Sequence, residues 1–91
     1  MNPKRRTKLK KAITLLNDAQ GKIEEAKELV SEVKDEEQES YDNLPESMQD
    51  GERGEAMQEN IDNMDEAESE LDDIYSNIEE QIDAIQEVID K

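Results

Sequence analysis

The chain has no cysteine, no histidine, no tryptophan and no phenylalanine. Without histidine there is no imidazole base, no Ser-His or Cys-His nucleophile pair and no imidazole metal ligand. Without cysteine there is no disulfide, thiolate or zinc cluster, a pattern that fits a reducing compartment. Tyr41 and Tyr75 are the only aromatic residues. No apolar run approaches the roughly 20 residues that a membrane span needs. The basic start runs into Ile13, Leu15 and Leu16 but then meets Asn17 and Asp18, which is not the pattern of a signal peptide. Only 32% of the 91 residues are hydrophobic and 42% are charged. So polar and short a chain cannot bury a sizeable globular core, and its order must come from long amphipathic helices and association.

What the chain has in excess is acid. The net charge is −16. It is unevenly placed: Lys4, Arg5, Arg6, Lys8, Lys10 and Lys11 give the first 11 residues +6, and the remainder carries 27 acids against five bases. Such a body repels nucleic acid and anionic membrane and attracts cationic surfaces. Charge this high is also a signature of disorder. Regular heptads argue instead for helices.

From Leu9, apolar residues recur at alternating spacings of three and four. Leu9, Leu16, Ile23 and Val30 form one row, and Ala12, Ala19, Ala26 and Val33 the other, with Ile13 widening the stripe. This predicts a helix over about 4–40. The turn spans about 41–51, where Pro45 cannot sit in a helix interior; Leu44 and Met48 are expected to plug the hairpin tip. A second helix over about 52–90 carries a wider face. Met57, Met64, Leu71, Ile78 and Ile85 form one row, Ile61, Tyr75, Ile82 and Ile89 a second, and Ala67, Ile74 and Val88 a third. The expected fold is all-α, a single antiparallel two-helix coiled-coil hairpin with helices of similar length. Because one helix stripe looks too narrow to cover this face, Ile61, Tyr75, Ile82 and Ile89 are the expected interface of a homodimer, a four-helix bundle. Antiparallel pairing would set the basic N-terminus beside Glu79, Glu80, Asp83, Glu87 and Asp90, offsetting two helix ends each badly charged for the macrodipole.

The residues do not suggest an enzyme. Paired carboxylates mean little where acids are everywhere, and a two-helix hairpin offers no cleft to separate their environments. A di-iron bundle needs Glu-x-x-His. Asp62, Asp65, Asp72 and Asp73 miss the EF-hand spacing, and Gly51-Glu52-Arg53-Gly54 lacks the Lys-Ser/Thr of a phosphate loop. No cofactor and no specific metal site is expected.

The remaining candidate is the charge. Glu24, Glu28, Glu32 and Glu36 form an i, i+4 file on the first helix, and Asp62, Glu66, Glu70 and Asp73 a similar file on the second. Like charges at this spacing cost a few tenths of a kcal/mol per pair, so a chain that keeps them gains either a binding surface or solubility. Glu24, Glu28, Glu32, Asp62, Glu66 and Glu70 are therefore the candidate partner-binding residues, directed at a basic nucleic-acid-binding protein. The alternative is a structural coiled-coil module, such as a scaffold, assembly chaperone or adaptor.

The segment Tyr41-Asp42-Asn43-Leu44-Pro45-Glu46-Ser47-Met48-Gln49-Asp50-Gly51-Glu52-Arg53-Gly54-Glu55, followed by an acidic Met/Ile/Leu heptad helix, resembles small acidic helical proteins of phages and prophages. The resemblance covers the turn and most of the second helix, and it implies the cytoplasm of a bacterial host. It also implies, by analogy, an inhibitor that occupies the nucleic-acid-binding surface of a host defence nuclease or CRISPR effector.

Overall fold

A computed structural model describes residues 1–91. The chain forms α1 (Pro3–Asp42), a single turn of helix α2 (Glu46–Gln49) and α3 (Glu52–Asp90), with no strand. It is all-helical, and α1 packs against α3 as a helical hairpin. The contacts fall into two compact units. One comprises Met1–Glu25 with Leu71–Lys91, the other Ala26–Glu70.

In the first unit α1 begins where Asn2 caps it. The Asn2 Oδ1 accepts from Arg5 N–H at 2.9 Å, and its carbonyl accepts from Arg6 N–H at 3.2 Å. Pro3 takes the first helical position, where a missing N–H costs nothing. Deeper in, Gln20 is 6% exposed and its Nε2 donates to Glu79 Oε2 at 2.7 Å and to the Tyr75 carbonyl at 3.3 Å.

The second unit holds the tip. Pro45 ends α1, and the Gln49 side chain reaches back over it: its Nε2 donates to the carbonyls of Tyr41 at 3.1 Å and Leu44 at 3.3 Å. Tyr41 belongs to the last turn of α1, where the regular i, i+4 donors have run out, and Leu44 to the bend beyond it. The Gly51 carbonyl accepts from Glu55 N–H at 2.9 Å as α3 begins. Gly54 is buried, and a Cβ there would lie 1.9 Å from the Gln49 carbonyl oxygen. Leu44 is half-buried, but Met48 is 42% exposed and does not plug the tip. The filling is done by Gln49 and by the close backbone approach at Gly54.

The seam differs from the apolar reading of α1. Leu9, Leu16, Ile23 and Val30 are half-buried as expected, but Ala26 and Val33 are exposed. The second seam row is Arg6, Ile13, Gln20, Lys27, Lys34 and Tyr41, each buried or half-buried. Choosing rows by apolarity passes over these positions. Long polar side chains can lay their methylene stems along a seam and carry their heads to its edge, and α3 offers carboxylates there.

On α3 the seam rows are Met57, Met64, Leu71, Ile78 and Ile85 beside Gly54, Ile61, Glu68, Tyr75, Ile82 and Ile89. Met57, Ile61 and Ile89 are the buried apolar core at 9%, 8% and 7% exposure, and Tyr75 and Ile82 are half-buried. The row reserved for a second copy is thus covered within the chain, because a two-helix seam takes two rows from each helix. The third row is the open one, with Ile74 and Val88 exposed.

Two glycines make opposite predictions. Gly21 lies within α1 with nothing within 4 Å of an added Cβ. Gly21→Ala should raise stability by about 0.5–1 kcal/mol through backbone entropy. Gly54→Ala drives a methyl into backbone and should cost on the order of 1–3 kcal/mol. Thermal unfolding followed by circular dichroism reads both; an unchanged midpoint for Gly54→Ala would contradict the packing at the tip.

Candidate partner-binding surface

Within the second unit the seam carries an ion triad. The Lys34 ammonium lies 3.0 Å from Glu68 Oε1 and 3.2 Å from Asp65 Oδ1. The Lys34 and Glu68 side chains are 23% and 17% exposed, whereas Asp65 is largely in water. Hydrogen bonds to Glu68 and then Asp65 hold the Lys34 ammonium above the ordinary lysine range. Farther toward the tip, Asn60 Nδ2 donates to Glu37 Oε2 at 3.4 Å. Partner numbers on α3 fall as those on α1 rise, which fixes the antiparallel sense in this unit.

The six candidate binding carboxylates, Glu24, Glu28, Glu32, Asp62, Glu66 and Glu70, are all exposed. Five belong to the second unit and Glu24 to the first. Counted at about 100° per residue from the seam, Glu32 and Glu66 lie on the far sides of their helices, with Glu28, Asp62 and Glu70 beside those positions. The far sides of two paired helices point away from each other. The two files therefore do not merge into one patch but distribute carboxylates around the unit.

The charge itself divides unequally. In the first unit, residues 1–25 hold seven bases and three acids, and residues 71–91 one base and seven acids, a net of −2. The second unit holds 17 acids against Lys27, Lys34 and Arg53, a net of −14. Sequence reading placed the acidity in the whole body after residue 11. Its concentration in one unit follows from the pairing, which sets the acidic end of α3 beside the basic start of α1. Lys4, Arg5, Lys8, Lys10 and Lys11 are exposed there; Arg6 is half-buried, and its Nε is shielded from water with no hydrogen-bond partner.

Shallow open depressions occur at Pro3, Lys4, Thr7 and Lys8 and at Val33, Glu36, Glu37 and Ser40. No group of three or more carboxylates is disposed to hold a metal ion, and no helix is long and apolar enough to cross a membrane.

The Lys34 triad predicts a non-additive pair of substitutions. Lys34→Met should lower the unfolding midpoint, because it leaves Glu68 in the seam without its cation. Lys34→Met with Glu68→Leu should recover most of that loss or exceed the parent, since an apolar pair fills the seam without desolvated charge. With its ammonium stabilised on folding, Lys34 contributes below the ordinary lysine value of 10.5, and the contribution fades as pH rises through the higher folded value. A double variant no more stable than the single one, by thermal melts at neutral pH, would remove the pair from this role. Compared with known protein families, curated proteins and solved structures, the chain matches none.

Proposed function

We propose that this chain is a non-catalytic acidic binding protein. Its second unit enters the basic nucleic-acid-binding cleft or channel of a target protein and excludes nucleic acid from it. The observation that carries this reading is the net −14 gathered in residues 26–70, with exposed carboxylates on the outer sides of both helices. A flat basic patch could touch only one file at a time. A channel built to surround a duplex or a single strand meets charge on several sides, as phosphates present it. Asp62, Glu66 and Glu70 on α3 and Glu28 and Glu32 on α1 supply these contacts, with Glu24 extending the file into the first unit. The resemblance to small acidic phage proteins points to a host defence nuclease, restriction enzyme or CRISPR effector as target and to the bacterial cytoplasm as the place of action.

A second reading, a structural adaptor that binds through apolar surface, is favoured by Leu15 and Leu29, each 62% exposed, and by Val33 at 51%.

Affinity capture from bacterial lysate separates the two. The expected catch is basic nucleic-acid-binding proteins, released by raised salt and by competing DNA or RNA. Reversal of Asp62, Glu66 and Glu70 to lysine should weaken capture by at least tenfold while circular dichroism stays unchanged. Partners retained equally at high salt and by the charge-reversed chain would sink the nucleic-acid-mimic reading and support the adaptor.

A further inference from the structure

Leu15 and Leu29 are the most exposed large apolar residues of the chain, and they share one row of α1, two heptads apart. Lys22 lies midway between them in the same row and is exposed. The adjacent row is Ala12, Ala19, Ala26 and Val33, of which Ala12 and Ala19 are half-buried at the edge of the seam and Ala26 and Val33 are exposed. Together they form a second heptad stripe on a helix whose first stripe already faces α3. Small residues in one row and leucine in the other suit close approach of another helix.

The charges along α1 say which helix. Its start is basic and its last third is acidic: Lys4, Lys8 and Lys11 stand at one end, Glu32, Glu36 and Glu39 at the other, all exposed. When a second α1 lies antiparallel with Leu15 opposite Leu29 of the other copy, heptad counting sets the remaining positions. Ala12 comes within one residue of Val33 and Ala19 within one residue of Ala26, and Lys22 meets its own counterpart on the two-fold axis. In that same register Lys8 falls opposite Glu36, while Lys4 and Lys11 come within one residue of Glu39 and Glu32. One alignment thus satisfies both the apolar row and three pairs of opposite charge, each occurring twice by symmetry. The unfavourable neighbours are Lys22 with itself and Asp18 near Glu25, both exposed and screened at physiological salt. Parallel stacking would instead set the acidic ends of the two copies side by side.

We infer that the chain forms an antiparallel dimer through this outer stripe of α1, with a second copy of itself as the occupant. The interface is distinct from the α3 row of Ile61, Tyr75, Ile82 and Ile89, which the chain covers internally; it does not depend on the function proposed above, and of the carboxylates assigned there to the target it takes only Glu32.

Light scattering at physiological salt should give twice the 10.5 kDa chain mass. Leu29→Glu should return the single-chain mass with helicity unchanged, since Leu29 makes little contact within the chain. Because the protein has no cysteine, single cysteines report the geometry directly. Under mild oxidation Lys22→Cys should form a disulfide-linked dimer as its main product, whereas Glu24→Cys, exposed on another side of α1, should stay mostly unlinked. A wild-type chain of single mass overturns the inference. So does a dimer that survives Leu29→Glu, or one in which Glu24→Cys links more readily than Lys22→Cys.

Discussion

The pairing of α1 with α3 depends on a seam row that is polar on one side and acidic at its edge. Gln20 and Lys34 take positions that a coiled coil ordinarily fills with apolar side chains, and each reaches carboxylates of α3: Glu79 for Gln20, Glu68 and Asp65 for Lys34. Such groups contribute little net stability once their desolvation is counted. What they supply is registration. A slide of α3 by one heptad in either direction replaces a carboxylate at one of these contacts with a neutral glutamine, Gln58 for Asp65 or Gln86 for Glu79, and weakens a charge-assisted hydrogen bond. Apolar rows of Ile, Leu and Met alone would tolerate that slide far better, because one heptad layer resembles the next.

This arrangement turns the usual distribution of charge in part inside out. Of the three bases in the second unit, Lys27 and Lys34 lie half-buried in the seam and only Arg53 is exposed, while most of the unit's acids face water. Lys34 in the seam draws the two acidic helices together; acids on the perimeter push outward against neighbours of like sign. No large side chain is fully buried to oppose that push. The fold therefore leans on length, on many half-buried residues spread over α1 and α3, more than on a dense centre.

Much of the architecture is legible in the sequence because heptad spacing and Pro45 speak directly about helices and turns. Two long helices and the segment joining them follow from those signals. The α3 rows also follow, though not which of them the partner helix would cover. What apolarity conceals is the second seam row of α1, since Gln20, Lys27 and Lys34 read as surface residues until the carboxylates opposite them are known. A seven-residue spacing links Ile13, Gln20, Lys27, Lys34 and Tyr41, and that spacing is the signal that would have found it. The tip hides its logic for a different reason. Gly54 appears as an ordinary glycine near a helix start, and only the position of the Gln49 carbonyl shows that no side chain fits. The candidate carboxylates were recognisable as exposed files, but their division between the two units is a property of pairing and cannot be counted along a single helix.

The way the two units are drawn from the chain has a kinetic side. Residues 26–70 are one continuous stretch, whereas the other unit joins 1–25 to 71–91 across everything between them. At the tip Gln49 meets Tyr41 and Leu44 across only eight and five residues; Gln20 must find Glu79 across 59. Closing a short loop costs less chain entropy than closing a long one. The continuous unit is thus the natural nucleus, and once it forms, the span that Gln20 and Glu79 must close is already held together at its far end. Chain ends that zip last on folding are the first to part on unfolding, so the basic arm and the end of α3 separate while the acidic unit is still intact.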